Sequence, residues 1–359
     1  MNESPISLFV YNRPWHTRQT VEALLKNELA GESDLIVFSD GVKPDDRRLT
    51  TDDRGQRSVI GGRRPEVSNH RSEDGDQGIN EHRTCNIEHS TSNQAYITSE
   101  TDDRRQTTDD RVREVREYIR TIRGFKSVRI VERDTNLGLA KSIISGVAEV
   151  INEYGRIIVL EDDMVTSPYF LRYMNEALEL YEKEDKVISI HGYVYPIQDL
   201  PETFFIKGAD CWGWATWKRG WDLFEQDGKK LLKKLEDGNL TSEFDNDGAY
   251  PYTKMLRDQI RGKNNSWAIR WYASAFLNDK LTLYPGSSLV KNIGLDDSGT
   301  HNDSTDYFNV ELIGRIPELK NIPMERNLEA SRKFRDFLVN IPKPSFFSRI
   351  RRKAKRLLN

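Results

Sequence analysis

The sequence of 359 residues predicts an α/β protein, in which helices flank the mostly parallel, Rossmann-like sheet of a single large domain. Short apolar runs alternate with segments of helical periodicity on both sides of residues 45–111. The apolar runs end in polar or acidic residues. Because the carboxyl ends of parallel strands share one edge of a sheet, and ligands bind beyond that edge, these residues are predicted to gather at one site.

The predicted elements follow one another as strand and helix in turn. In chain order they are a strand and turn at 6–14, a helix at 16–29, a strand at 33–41, a helix at 113–122, a strand at 126–134, a helix at 138–155 and a strand at 156–163. Beyond residue 187 the chain changes character and becomes rich in tryptophan.

The composition excludes several classes of protein. The formal net charge of −3 gives no global basic field, so we expect no nucleic-acid partner. Two cysteines, Cys85 and Cys211, cannot build a disulfide framework and favour a reducing compartment. The N-terminus lacks the pattern of a signal peptide, and no apolar stretch approaches the roughly 20 residues of a membrane span. We therefore expect a cytoplasmic protein.

Residues 45–111 interrupt the alternation of strands and helices. They contain few aliphatic residues, no periodicity and many charges, so the segment is predicted to be disordered. The pentapeptide TTDDR occurs at 50–54 and again at 107–111. One interpretation is a late insertion with duplicated edges, and the other is an ordinary flexible loop.

Three acids follow the apolar run IIVL in the stretch GRIIVLEDDMVTSPYF: Glu161, Asp162 and Asp163. Clustered carboxylates repel one another and are costly to desolvate, so a positive group should lie beside them. A divalent cation such as Mn²⁺ or Mg²⁺ suits hard oxygen ligands and would also hold a diphosphate. The alternative is a solvated acidic turn that caps the helix beginning near Ser167 and Pro168.

The tryptophans of residues 204–224 have two interpretations. Aromatic faces stack on the apolar faces of sugars, so Trp212 or Trp214 is predicted to floor an acceptor site. Aromatic side chains also fill protein cores, which is the competing interpretation.

Several segments together resemble GT-A-fold glycosyltransferases, most closely bacterial enzymes similar to N-acetylglucosaminyltransferase I and to glycosyltransferase family 2. The stretch VLEDDMVTSPYFLRYMNEAL resembles their short acidic motif in the form E-D-D. FVYNRP, VFSDG, RDTNLGLAKSI and GADCWGWATWKRGWD match in the right order. The resemblance implies a metal-dependent enzyme of polysaccharide biosynthesis. It would move a hexosyl or N-acetylhexosaminyl group from a nucleotide donor, with UDP favoured, to a saccharide or lipid-linked acceptor with inversion.

The resemblance also implies roles for individual residues. Asp163 would bind the metal, together with His301 from a later loop, and Glu161 and Asp162 would contact the ribose or the donor sugar. Arg13 would approach the diphosphate, and Asp40 would accept a hydrogen bond from the uracil ring. The remaining substrate-binding residues would be Tyr11, Asn12, Asn136, Gly138 and Lys141.

Each of these residues has an ordinary structural alternative. Arg13 could pair with a surface acid, and His301 could be structural. Asp40 and the stretch 136–138 could simply form turns.

The general base is the least defined part of the prediction. Inverting relatives use an Asp or Glu beyond the acidic motif, and the candidates here are Asp258 first and Asp247 second. The alternative for Asp258 is a solvated acid on a helix face.

The predicted organisation has a nucleotide-sugar-binding half (1–165), an acceptor-binding half of the same domain (166–322) and a C-terminal extension (323–359). Its tail, residues 343–359, has seven Lys or Arg and no acid, with apolar residues near one helical face. Such a helix suits an anionic membrane surface, here the inner face of the cell membrane. The alternative is a frayed, soluble tail.

Two other functions stay open at this point. A nucleotidyltransferase also uses acids and a metal on an α/β sheet, but it usually has a Gly-rich basic loop after the first strand, which YNRPWHTRQT lacks. A degenerate, non-catalytic protein that binds sugar nucleotides is the other.

Overall fold

The central feature of the fold is one sheet of eight strands, in the order β3-β2-β1-β4-β8-β6-β9-β7. The structure, a computed structural model, describes residues 3–43, 106–296 and 306–341. In these ranges the strands are β1 (Ile6–Val10), β2 (Asp34–Ser39), β3 (Ser127–Glu132), β4 (Arg156–Glu161), β5 (Met164–Thr166), β6 (Val187–His191), β7 (Thr203–Lys207), β8 (Trp214–Trp217), β9 (Leu281–Pro285) and β10 (Val290–Asn292).

The helices of the described ranges flank this sheet and extend it on one side. They are α1 (Pro14–Leu25), α2 (Thr108–Ile119), α3 (Leu139–Tyr154), α4 (Phe170–Leu180), α5 (Lys218–Trp221), α6 (Gly228–Asp237), α7 (Thr241–Phe244), α8 (Tyr252–Ile260), α9 (Ala268–Leu277) and α10 (Leu328–Asn340). Short 3-10 turns occur at Ala30–Glu32 and Asp306–Phe308.

The direction of the strands confirms the predicted class. β1 pairs in parallel with β2 and β4, and β2 pairs in parallel with β3. Strands β6 and β9 run the same way, whereas β7 and β8 run against them. The sheet is therefore mostly parallel, as the sequence predicts. Since β4 pairs with β8, the two predicted halves, 1–165 and 166–322, share this sheet.

Buried residues cover both faces of the sheet. All five residues of β1 are buried, which explains why this central parallel strand reads as a continuous apolar run. One core cluster joins the sheet to α1, α2 and α4 through residues such as Val21, Val115 and Leu171. A second cluster, with Ile143 of α3 and Trp271 of α9, covers the opposite face. Helices on both faces of a parallel sheet define the α/β class.

The start of α2 differs from the prediction of disorder through residue 111. The hydroxyl of Thr107 accepts a hydrogen bond from the amide of Asp110, and the Asp110 carboxylate accepts one from the amide of Thr107. This reciprocal capping box starts the helix at Thr108, so the second TTDDR copy is a helix start. The first copy and the rest of the predicted insertion, 45–105, lie outside the described residues.

The C-terminal tail, 343–359, also lies outside the described residues, and its predicted amphipathic helix stays a prediction. Among the helices that the structure describes, none combines the length and apolar character needed to cross a membrane.

Candidate active site

The acidic turn lies where β1 and β4 end side by side. Phe9 of β1 is in register with Glu161 of β4, so the residues that follow each strand meet at the carboxyl edge of the sheet. Arg13 Nη1 lies 2.6 Å from Asp163 Oδ2 and 3.7 Å from Asp162 Oδ1. The sequence analysis expects a positive group beside the acids, and among the described residues Arg13 is such a group.

Helix α1 fixes both partners of this pair. Pro14 occupies its first turn, and the carbonyl of Arg13 accepts hydrogen bonds from the amide and the hydroxyl of Thr17. The hydroxyl of Thr20, one turn later, donates to the carbonyl of Asp162 at 2.8 Å. One helix thus positions the guanidinium and also clamps the backbone of the acidic turn.

The acidic turn brings three carboxyl groups together, and burial disfavours their charged forms. Asp162 and Asp163 are only 8% and 9% exposed, and Glu161 is partly buried. Burial, with the charges of the neighbouring acids, raises the pKa of Glu161 to about 8 and that of Asp162 to about 7, while Arg13 opposes both shifts. A single guanidinium therefore offsets only part of the negative charge.

Asp163 fits a cation ligand through one of its two oxygens. Oδ2 accepts from Arg13, but Oδ1 is buried and has no hydrogen-bond partner among the described residues. Mg²⁺ and Mn²⁺ are commonly held by one or two protein carboxylates plus substrate phosphates, so a closed cage of side chains is not required. No three His, Cys, Asp or Glu side chains of the described residues are grouped so that they could hold an ion. The other predicted ligand, His301, lies outside the described residues.

A loop after β10 closes over the pair of Arg13 and Asp163. The amide of Ile293 donates to the carbonyl of Asp163 at 2.9 Å. A Cβ atom at Gly294 would lie 2.1 Å from Asp163 Oδ2, so a side chain at this position would displace the carboxylate. Asp296 lies 3.6 Å from Arg13 Nη2. The sequence analysis did not single out Gly294 or Asp296, because only the fold brings this loop to the acidic turn.

His16 joins the same loop to α1. Its Nε2 lies 3.0 Å from Asp296 Oδ2, and its side chain is buried. Burial lowers the pKa of His16, and the positive charge of Arg13 lowers it further. The acidic turn, α1 and the loop after β10 therefore form one polar cluster.

A second part of the edge lies at the end of β2. Asp40 Oδ1 accepts from Arg133 Nη1 at 3.0 Å, and Oδ2 accepts from the amides of Leu137 and Gly138, each at 3.1 Å. The side chain of Asn136 also accepts from the amide of Gly138. The structure thus brings Asp40 together with the turn 136–138 and adds Arg133, which sequence reasoning missed.

These contacts show that Asp40 holds the turn 136–138 in place, whatever its predicted hydrogen bond with uracil adds. Its buried carboxylate anchors the turn that opens α3, where Gly138 has the left-handed φ of +76°. Lys141 is exposed on the first turn of α3. Contact of Asp40 and Lys141 with a nucleotide stays a prediction, as it does for Tyr11 and Asn12.

The tryptophans divide between core and surface. Trp214 is fully buried, with its ring centroid 5.5 Å from that of Trp267 and 5.7 Å from that of Trp271. The prediction that Trp214 lines a sugar site is therefore corrected, because its ring is enclosed by other aromatic rings. Trp212 is only partly buried and packs edge-on against Tyr193 at 4.7 Å.

The two candidate bases are held by basic side chains of outer helices. Asp258 on α8 pairs with Lys254 and Lys263, and the hydrogen bond from Lys254 lowers its pKa. Asp247 is exposed on the turn after α7, with its Oδ2 3.6 Å from Arg335 Nη1. Both carboxylates form ion pairs with basic side chains in the structure, and their assignment as bases stays a prediction.

Asp210 is the carboxylate that sequence reasoning missed. It accepts hydrogen bonds from the amide of Cys211 at 2.8 Å and from the hydroxyl of Tyr284 at 3.2 Å, and its side chain is 36% exposed. Burial raises the pKa of the adjacent Cys211 thiol well above its usual value, and the charges of Asp210, Glu161 and Asp163 all add to that shift. Asp210 Oδ1 also lies 4.0 Å from Nε2 of His191, the last residue of β6, so the Asp210 side chain lies near the carboxyl end of that strand. The signal was present as an acid between two glycines in GADCWG.

Comparisons with known proteins return distant structural similarities. No protein-family model matches the chain, and no curated protein matches it. The chain is similar to S. aureus TarS 1-349, with a TM-score of 0.36, 10% identity and coverage of 82% of this chain and 61% of that one. A longer S. aureus TarS structure has a TM-score of 0.34 at 10% identity, and the match covers 82% of this chain and 37% of that one. The chain therefore spans less than two thirds of either TarS chain.

UDP-glucose pyrophosphorylase complexed with UDP-glucose is a further similar structure. Its TM-score is 0.32 at 12% identity, with coverage of 79% of this chain and 90% of that one. At such low similarity, the activity of this chain has to be inferred from its own site.

Proposed function

We propose that this protein is a metal-dependent, GT-A-type glycosyltransferase that moves a sugar from a UDP-linked donor to a saccharide or lipid-linked acceptor, with inversion. The observation that carries the proposal is the buried, unpartnered Oδ1 of Asp163 at the carboxyl end of β4. A buried carboxylate oxygen without a donor is costly, and a bound cation would remove that cost. A strand end of a parallel sheet is also where α/β proteins bind ligands.

The residues of the cluster have complementary tasks under this proposal. Asp163 would hold Mn²⁺ or Mg²⁺, while Asp162 and Glu161 face the ribose or the donor sugar. Arg13 would bind the diphosphate, because a planar guanidinium matches phosphate oxygens with two parallel hydrogen bonds. When bound, the cation offsets the charge that builds on the leaving diphosphate.

The anchored turn at 136–138 supports nucleotide binding on the same edge. Asp40 and Asn136 hold the turn through the amide of Gly138, directly before the first residues of α3. The N-terminus of a helix this long favours negative charge, which suits a nucleotide phosphate. The uracil ring of the nucleotide would then lie beside β2, whereas β8 lies on the other side of β1 in the sheet.

Calorimetry with UDP and Mn²⁺ tests the proposal directly. The wild-type protein is expected to bind UDP only when Mn²⁺ is present, and to hydrolyse one member of a panel of UDP-, GDP- and dTDP-sugars slowly. The Asp163→Ala variant should stay folded and lose at least about 100-fold in both readouts, since a metal supplies several kcal/mol of charge stabilisation. Asp222→Ala, which removes an exposed carboxylate paired with Lys218, is the matched control.

Two results would reject this function. Equal binding of UDP and Mn²⁺ by the Asp163→Ala variant would show that Asp163 is not the metal ligand. Release of pyrophosphate from UTP and a sugar 1-phosphate, without transfer from UDP-sugars, would identify a nucleotidyltransferase instead.

A further inference from the structure

The loop 208–213 holds Asp210 in a fixed position over the sheet. The hydroxyl of Thr282 donates to the carbonyl of Gly208 at 2.7 Å, and the amide of Trp212 donates to His191 Nε2 at 3.1 Å. Gly208 has a φ of +103°, and a Cβ there would lie 2.4 Å from the ring of Tyr272. The loop is therefore pinned at both ends, and the direction of the Asp210 side chain is set by the fold.

Tyr284 contacts Asp210, Tyr272 packs against Gly208 of the same loop, and ring contacts join Tyr252 to Tyr272 and Tyr250. With the neighbouring pair of Tyr193 and Tyr195, we name this group the tyrosine basin: Tyr193, Tyr195, Tyr250, Tyr252, Tyr272 and Tyr284. Direct contact comes from the hydroxyl of Tyr284, which donates to Asp210 Oδ2. The ring centroids of Tyr193 and Tyr195 are 5.8 Å apart, and those of Tyr252 and Tyr272 are 4.8 Å apart. Trp212 packs against Tyr193 at the rim of the basin.

The hydroxyls of the basin are protonated at neutral pH, as those of ordinary tyrosines are. Burial raises the pKa of Tyr195, Tyr252 and Tyr284 well above the usual value, and the charge of Asp210 adds to each shift. Phenol groups held protonated can donate and accept hydrogen bonds with the hydroxyls of a sugar. Tyr193 and Tyr284 are buried, whereas Tyr195, Tyr250, Tyr252 and Tyr272 are only partly buried and offer apolar ring surface on which a pyranose can stack.

We infer that the tyrosine basin binds the acceptor as an uncharged saccharide, and that Asp210 is the base that takes the proton from its reacting hydroxyl. The inference rests on the proposed glycosyltransferase function. The negative charge of Asp210 disfavours an acceptor that carries a carboxylate or a phosphate near the reacting group, since like charges repel in a partly buried site. A neutral hydroxyl meets no such penalty.

The step balances in atoms and electrons. The acceptor oxygen forms a bond to the anomeric carbon, and its proton passes to the carboxylate of Asp210. The bond from the anomeric carbon to the diphosphate oxygen breaks, and its electron pair leaves with UDP. Each Asp210 oxygen accepts one hydrogen bond within the protein and keeps a lone pair for this proton. The partial exposure of the side chain lets the proton leave to solvent afterwards.

The Asp210→Asn variant tests the base. We expect transfer to fall by about 10²- to 10⁴-fold, the range for a lost general base, while binding of UDP with Mn²⁺ is unchanged. Asp222→Asn, on the exposed pair with Lys218, serves as the control and should transfer normally. Full transfer by Asp210→Asn, or loss of transfer in Asp258→Asn instead, would overturn the assignment. A wild-type protein that binds no UDP with Mn²⁺ would instead refute the proposed function.

The Tyr195→Phe and Tyr252→Phe variants test the basin, because each removes only a hydroxyl. The KM for a methyl glycoside acceptor should rise about 3- to 10-fold, the effect of one hydrogen bond, with UDP binding unchanged. The control is Tyr154→Phe, since Tyr154 is the last residue of α3 and is not part of the basin. Among methyl glycosides, uronic acids and sugar phosphates tested with UDP-hexoses and UDP-N-acetylhexosamines, only the neutral glycosides should accept. Preferred transfer to an anionic acceptor, or no change in KM, would reject the basin.

Discussion

Arg13 and Asp163 are 150 positions apart in the chain, yet Arg13 Nη1 and Asp163 Oδ2 are 2.6 Å apart across the ends of β1 and β4. The pair is largely buried, with side-chain exposures of 16% and 13%. The pair joins the two adjacent strand ends that would meet a donor diphosphate. Without a ligand, Arg13 compensates part of the negative charge of the acidic turn.

Replacing Arg13 by Gln should destabilise the protein by about 3–5 kcal/mol, because one partner of a buried pair is left uncompensated. Urea unfolding measures this change. Arg172→Gln, which breaks an exposed pair with Glu176, should change the free energy of unfolding by less than about 1 kcal/mol. If both variants unfold alike, Arg13 does not compensate the acids. Adding Mn²⁺ should restore part of the lost stability of Arg13→Gln.

The acidic turn should make the protein less stable as pH rises. The pKa of Glu161 rises from 4.5 to about 8 and that of Asp162 from 3.8 to about 7 on folding, so the folded state holds more protons between these values. The free energy of unfolding therefore falls as pH increases from about 4 to about 8. Urea unfolding across this range should show a shallower fall for Glu161→Gln than for the wild type. Glu176→Gln, on an exposed pair, should keep the wild-type slope, and identical slopes in all three would contradict the shifts.

Gly294→Ala should disturb the acidic turn from the opposite loop. The new Cβ would lie 2.1 Å from Asp163 Oδ2, so the carboxylate or the loop must move, at a cost of about 1–3 kcal/mol for overpacking. Both the free energy of unfolding and the affinity for UDP with Mn²⁺ should decrease. A Cβ at Gly314 meets no atom within 4 Å, so Gly314→Ala is the matched control. Wild-type behaviour of Gly294→Ala would show that the loop is not held against Asp163.

Deleting residues 343–359 tests the proposed association with membranes. The segment carries seven Lys or Arg and no acid, which predicts electrostatic binding to anionic lipid. The full chain should float with liposomes that contain phosphatidylserine, and it should dissociate as salt screens the charges. The truncated protein should stay at the bottom of the gradient, and unchanged flotation would end the proposal.

The sequence predicts the strands and helices of the central sheet well because their signals are local. A buried parallel strand such as β1 reads as an apolar run, and the amphipathic pattern of α3 ends at Gly155, whose φ is +80°. Placing strand ends at one edge also anticipates that Arg13 and the acidic turn meet. The capping box at Thr107 was equally local, but the charged composition around it favoured a prediction of disorder.

The errors come from contacts between distant segments. Trp212 and Trp214 are two positions apart in the sequence, and it is the packing of Trp221, Trp267 and Trp271 that encloses Trp214. Asp258 and Asp210 are the same residue type, but Lys254 pairs with the first from one turn away, while the hydroxyl of Tyr284, from β9, donates to the second. No local pattern reports which helix or strand lies across from a side chain.

Strand β5 begins at Met164, directly after the acidic turn, and pairs with β10, whose last residue, Asn292, is followed by the loop that carries Gly294 and Asp296. The acidic turn and the loop 293–296 are thus joined through one two-stranded ribbon. We expect substitutions in this ribbon, which holds none of the reacting groups, to shift the acidic turn and the loop together. The affinity for a ligand bound between them would change as a result.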